Sequence, residues 1–518
     1  MSSIESEEKS WGFIALFGVL FIVIAFRVWD IEIRPLHHDE AVNFHFVQEI
    51  FKKGYYPYSH ENYHGPSYFY LLAGFVHFLG DSVLSFRGSS ILCGILVCLV
   101  PFLILRPFFT KKSDVVAVLP LALSSSLVFH SRYAIHEIML LLFSLGMAAY
   151  AYRFFSEKNI TFAGAAALCA AGCFATKETT LVVGFGLFVT CLLFFGIVPL
   201  FRLLSKFLQE GGGWLVLSVV ATVLLFTGAL QWSNGMREFV LAFAQWISRG
   251  VEDTGHFKPW YYYLKVLWQS EPILYASFLI PIFALFEKGR SVLGGRWKLS
   301  SFFSVWALLL LIIHSFIPYK MPWIVIQWTG PMCVALGIVL ADWMGILAEP
   351  NTEIDSEVTD LEVAGRRTST EKIAKIGFLV LIVFVQAVYG VLYNFTYPYQ
   401  KKNPFSYVHT SPGLIETKDI IIESFREFPK SRVLIAVNSY WPLPYYLREF
   451  AGSRVDYGSV RDFSKYGKKY GLYLLEKKVG EKVVEDECIR KQYFRLSDVE
   501  ETYLVTDRCY LDGKGKKK

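Results

Sequence analysis

Charge is scarce in this chain: Asp, Glu, Lys and Arg make up 19% of the 518 residues, and the formal net charge is only +6. The positive residues are spread over short loops and the C-terminal tail rather than gathered on one face, which argues against nucleic-acid binding. No Gly-rich loop precedes a helix in the pattern that cradles a nucleotide phosphate, so no nucleotide cofactor is expected. No internal repeat of fixed period is visible, which disfavours transporter folds built on such repeats. Cysteine is nearly missing from the polar parts of the chain. Six of the eight cysteines, Cys93, Cys98, Cys169, Cys173, Cys191 and Cys333, sit inside apolar runs, where a thiol behaves as a small hydrophobe. The polar, acidic start is followed by a run with no small-residue cleavage site, so Trp11 to Trp29 reads as a retained anchor.

Apolar residues dominate instead. The chain is 54% hydrophobic and 17% aromatic, with a mean hydropathy of +0.39, which excludes an ordinary soluble globule and indicates a polytopic α-helical membrane protein. Hydropathy predicts eleven spans, at 11–29, 88–105, 115–130, 138–154, 161–175, 180–200, 214–232, 272–286, 302–317, 322–346 and 375–396. The run Ser67 to Leu79 follows Pro66 and is about 13 residues long, too short to cross, so it reads as an interfacial helix. With the N-terminus cytoplasmic, the cytoplasmic loops carry Arg106, Lys111, Lys112, Arg153, Lys158, Arg202, Lys206, Lys288, Arg290, Arg296 and Lys298, as the positive-inside rule requires. Asp342 is read as the main charge inside a span.

The chain therefore divides into a transmembrane domain, residues 1–396 with a first outer loop at 30–87, and a soluble extracytoplasmic α/β domain, residues 397–518. The acidic, Ser/Thr-rich stretch Glu349 to Glu371 reads as a flexible cytoplasmic linker. Strand-like runs at Ser431–Val437, Gly471–Leu475 and Glu501–Val505 alternate with polar helical stretches in the second domain. Cys488 and Cys509 are its two cysteines, separated by 20 intervening residues. An oxidising exterior predicts a disulfide between them, against the alternative of two unrelated thiols.

The unusual polar residues converge on the outer loops: His37, His38, Asp39 and Glu40 after the first span, Tyr63 to Pro66 (YHGP), His130 to Glu137 (HSRYAIHE), Thr176 to Thr179 (TKET) and Pro318 to Trp323 (PYKMPW). Charges near a bilayer are costly unless paired or used, so this cluster is the expected site. Plainer readings stand beside it: a solvated loop start for Asp39 and Glu40, an ion pair between Glu137 and Arg132, a solvated helix end at Lys177 and Glu178, and a snorkelling Lys320.

Asp39-Glu40-Ala41 opening the first outer loop, Gly65-Pro66 before an aromatic apolar helix, and Gly80-Asp81-Ser82 leading to Arg87 resemble the GT-C superfamily of membrane glycosyltransferases. Within it, these residues and Ser131 to Glu137 are similar to the protein O-mannosyltransferase and aminoarabinose-transferase branch and, most of all, to the archaeal flippase-activity-associated family. The branch's basic residues after Asp-Glu-Ala and before the proline are replaced here by Val42, Asn43 and His64-Gly65.

The resemblance implies transfer of a sugar from a polyprenyl (dolichyl or undecaprenyl) phosphate to a glycan, lipid or protein acceptor on the outer face of the membrane. It assigns catalysis to Asp39 as base, with Glu40 and Glu137. The departures leave Lys320, Lys177 and Arg132 as the cations for the donor phosphate, and His64, Tyr63, His136 and Trp323 as substrate contacts. A divalent metal held by His37, Asp39 and His64 is a further expectation. The rival readings are a lipid-linked oligosaccharide flippase and a non-catalytic subunit associated with one.

Overall fold

The computed structural model describes all residues except 1, 63, 110–111, 252–255, 349–360, 438–439, 459–469, 477–488, 494–500 and 507–518. Tyr63, Cys488 and Cys509 lie outside the described residues, and with them the expected disulfide. The chain forms two compact units, one of residues 1–31 and 49–396, the other of residues 32–48 and 397–518. Residues 32–48, part of the first outer loop in sequence, thus count with the C-terminal unit.

The first unit is an assembly of apolar helices. Five are long and apolar enough to cross a membrane, Val83–Ile104, Glu137–Glu157, Trp297–Phe316, Pro322–Gly345 and Lys372–Thr396, and three bent pairs raise the number to eight. Each of the eleven expected spans falls on an apolar helix, the remainder being the shorter Ile14–Val28, Ile160–Phe174 and Gly212–Phe226. Pro66–Leu79 has 14 residues, a length of about 21 Å against a hydrocarbon core of about 30 Å.

The bends are local chemistry. The expected span 180–200 breaks at Gly196, whose φ of 80° stops the helix Thr180–Phe195; Ile197–Glu210 leaves at 119°. Asp114–Leu123 and Ser125–Ser131 meet at 69° around Ser124, whose hydroxyl caps Leu127 N–H. Tyr262–Ser270 and Pro272–Ala284 meet at 117° around Glu271.

Two expectations are corrected here. The backbone from Leu361 is helical and runs unbroken to Val391, so the linker reading does not hold for 361–371. Asp342 is not the main intramembrane charge: it pairs with Arg296 at 2.6 Å, and Arg296 also holds Asp114 at 2.9 Å. Arg27 and Glu271 are instead wholly buried, at 0% and 1% exposure. The Arg27 guanidinium donates to the carbonyls of Val23, Leu121 and Ala122 and to Cys98 Sγ. The Glu271 carboxylate accepts from the Ser124 and Ser125 hydroxyls and from Ser126 N–H.

The second unit contains a five-stranded sheet of order β2-β1-β3-β5-β4, formed by β1 (Val433–Ala436), β2 (Val455–Tyr457), β3 (Leu472–Glu476), β4 (Ile489–Tyr493) and β5 (Glu501–Thr506). Strands β1, β2 and β3 are parallel, while β5 pairs antiparallel with β3 and β4. The helix Pro412–Glu427 covers the sheet, burying Leu414, Ile421 and Phe425 against Val433, Ile435, Leu472 and Leu474.

Candidate active site

In the first unit the YHGP and TKET segments are zipped together. Pro66 opens its helix at a position where the missing N–H costs nothing. Gly65 N–H donates to Thr176 O at 3.1 Å and Ser67 N–H to Ala175 O at 2.9 Å, and the Ser67 and Thr176 hydroxyls meet at 2.9 Å. A Cβ on Gly65 would collide with the Ala175 carbonyl, so only glycine permits this approach. The zipper sets His64 Nδ1 4.0 Å from Glu178 Oε2.

His136 packs behind His64 with ring centroids 4.9 Å apart, and against Tyr68 and Phe69. Burial, with His64 and Lys177 nearby, holds its imidazole well below the ordinary range. Tyr58, facing Phe226 at 4.6 Å, has its phenol pushed up by burial and by the charge of Glu178.

The expected Glu137–Arg132 ion pair is not formed. Glu137, in the first turn of its helix where a carboxylate suits the dipole, receives the Lys177 ammonium, the two side chains being 6% and 10% exposed. Lys177 is thereby neutralised rather than left free for a phosphate. Arg132 is equally committed: it donates to the carbonyls of Trp29, Asp30 and Asn394 and lies 4.6 Å over the Phe395 ring. Trp323, in the short turn Pro322–Val325, has its ring 6.4 Å from Tyr133.

Lys320 differs from both. Its loop is pinned by antiparallel pairing of Phe257 with Tyr319 and by Lys320 N–H to His256 O at 3.1 Å. The residue is 1% exposed, which overturns the snorkelling reading. Its ammonium donates to Ile317 O and forms no ion pair with a carboxylate among the described residues, leaving donor capacity on a group with three N–H bonds. Burial pushes the amine below its ordinary value. The charges of Lys177 and Lys320 both reach the His314 imidazole. Close by in sequence and space, His314 Nε2, Gln327 Oε1 and Trp328 Nε1 are buried without a hydrogen-bond partner among the described residues, as is His136 Nε2. Each such atom costs about 1–3 kcal/mol if left unmet, so these groups bring hydrogen-bonding capacity to the neighbourhood of Lys320. His314 was legible as an ionisable residue inside an apolar run; Gln327, Trp328 and Tyr58 carry no comparable signal.

In the second unit His37 caps the helix His38–Lys53 in a reciprocal arrangement. Asp39 N–H donates to His37 Nδ1 at 3.1 Å, and His37 N–H donates to Glu40 Oε2 at 2.9 Å. This is a capping box with histidine in the usual Ser/Thr place. It gives Glu40, 1% exposed, a structural task. His37 Nε2 lies 3.4 Å from Tyr407 O. Asp39 points outward, its side chain 40% exposed and its carboxylate 3.6 Å from His37 Nδ1.

Among the described residues no group of three or more His, Cys, Asp or Glu side chains is arranged to hold a metal ion. His37 Nδ1 accepts the Asp39 N–H.

Residues 63–226 match the family model described as dolichyl-phosphate-mannose-protein mannosyltransferase. Among solved structures, the chain is similar to ArnT from Cupriavidus metallidurans in the apo state, with a TM-score of 0.60 and 15% identity over 96% of this chain and 98% of that one. The same protein bound to undecaprenyl phosphate gives 0.56 and 14% over 96% and 97%. The apo oligosaccharyltransferase of Archaeoglobus fulgidus gives 0.53 and 10% over 90% of this chain and 70% of that one. No curated protein sequence matches. The chain has the GT-C fold of polytopic membrane proteins.

Proposed function

We propose that this GT-C-fold protein is a glycosyltransferase that moves a sugar from a polyprenyl-phosphate donor to an acceptor hydroxyl on the extracytoplasmic face of the membrane. The observation that carries the reading is Lys320, a buried ammonium whose recorded side-chain bond is to one backbone carbonyl. A buried cation with spare donors is a site for an anion, and the anion suited to it is the departing phosphate. The undecaprenyl phosphate bound by a protein of the same fold supports a lipid-linked donor.

In the proposed step the acceptor oxygen bonds to the anomeric carbon as the bond from that carbon to the phosphate oxygen breaks. The step needs a base for the acceptor proton, the role proposed for Asp39, and a cation for the departing polyprenyl phosphate, the role proposed for Lys320. Glu137 acts by holding Lys177, and Glu40 by holding the turn that presents Asp39. His136 Nε2 and Gln327 Oε1, without a partner among the described residues, are hydrogen-bonding capacity for donor hydroxyls. The outward assignment rests on the basic residues of the alternate loops.

The test is release of polyprenyl phosphate from a radiolabelled polyprenyl-phosphate sugar by the purified protein, with Lys320→Ala as control. A flippase moves the lipid without breaking the sugar–phosphate bond and releases none.

A further inference from the structure

Resting on the reading of Asp39 as base, we propose that Trp441, backed by Tyr440, is a stacking platform for a saccharide and that the acceptor is a sugar hydroxyl rather than a serine or threonine side chain. Tyr440 and Trp441 follow β1, and Tyr457 ends β2. The three aromatics therefore gather at the carboxyl ends of parallel strands, the edge where open α/β sheets take their ligands. The Tyr440 and Trp441 rings lie 6.1 Å apart at 29°, and Tyr440 is 5.0 Å from Tyr457. Trp441 is 6.0 Å from His38, the neighbour of Asp39.

Tyr440 and Tyr457 pack on the hydrophobic core of the unit, whereas Trp441 does not belong to that cluster and stays half-buried. Its ring contacts are His38 and Tyr440, and among the described residues its indole N–H meets no acceptor. Tyr457 OH is buried with no partner among the described residues. A pyranose offers a face of C–H groups and a rim of hydroxyls. An aromatic face with an unspent N–H and a nearby outward carboxylate complements both. This group lies outside residues 63–226, the part that matches the mannosyltransferase family, so that match does not set the acceptor.

The experiment uses the full chain in nanodiscs with a radiolabelled polyprenyl-phosphate hexose, offering a free oligosaccharide or a Ser/Thr peptide as acceptor. Trp441→Ala is expected to raise the oligosaccharide KM about fivefold or more. Trp441→Phe should stay near wild type, and donor hydrolysis without acceptor should be unchanged. An unaltered KM in Trp441→Ala, or use of the peptide with no competition by the oligosaccharide, overturns the platform. Saturation-transfer NMR reads oligosaccharide binding without turnover: signal lost in Trp441→Ala supports the platform, and no signal in wild type overturns it. A wild type that binds the oligosaccharide but releases no polyprenyl phosphate fails the glycosyltransferase reading instead.

Discussion

The Lys177 ammonium is seated on the Glu137 carboxylate, joining the start of one long apolar helix to the loop that ends another. Removing one partner of a buried pair strands the other charge at a cost of about 3–5 kcal/mol. Glu137→Gln and Lys177→Met should each lower the unfolding temperature markedly in detergent, and the double variant should recover part of the loss. Additive losses in the double variant would show that the two side chains are not coupled.

Asp39 and Glu40 are adjacent acids with separable tasks. Asp39→Asn should reduce transfer about 100-fold or more with normal folding, since an amide keeps the shape but cannot accept the proton. Glu40→Ala should instead cost about 1 kcal/mol of stability through the lost cap. Thermal unfolding and turnover, measured on both variants, separate the roles; equal turnover in Asp39→Asn and wild type removes Asp39 from the reaction.

Lys320→Ala should lower kcat/KM for the donor about 100-fold or more while leaving the acceptor KM unchanged, and Lys320→Arg should restore part of the rate. Because burial lowers this amine, donor use should decline with rising pH before the ordinary lysine value of about 10.4 is reached. The linkage has the opposite sign for folding. Between the lowered value and the ordinary one the unfolded chain holds the extra proton, so stability rises with pH across that window, and below it the cost of the buried charge is felt in full. A donor KM independent of pH through that window excludes Lys320 as the phosphate contact.

Gly65→Ala should abolish activity even though it adds one methyl group, because the Cβ meets the Ala175 carbonyl and must unzip the contact that sets His64 against Glu178. Normal activity with unchanged protease resistance would show that the segment has room the geometry does not reveal.

Much of the architecture was open to reading from local pattern, because hydropathy is a property of neighbouring residues and each predicted span finds its helix. Strands β1, β3 and β5 announced themselves as apolar runs. Strands β2 and β4 did not, and both are edges of the sheet, where a short strand (Val455–Tyr457) or a polar one (Ile489–Tyr493) is the rule. The break at Ser124 falls inside the predicted span 115–130, which hydropathy reads as continuous.

The sequence alone determined that this is a many-helix membrane protein with a small α/β unit, and marked the short polar segments to which its chemistry is assigned by proposal. Tertiary structure decided the partners: Lys177 rather than Arg132 on Glu137, His37 rather than a substrate on Glu40, and a backbone carbonyl in place of a carboxylate on Lys320. The reason is physical. A hydropathy or helix signal is written in adjacent residues, whereas the fate of a charge depends on burial and on groups brought to it from elsewhere in the chain, as Lys177 is brought to Glu137 from 40 residues away.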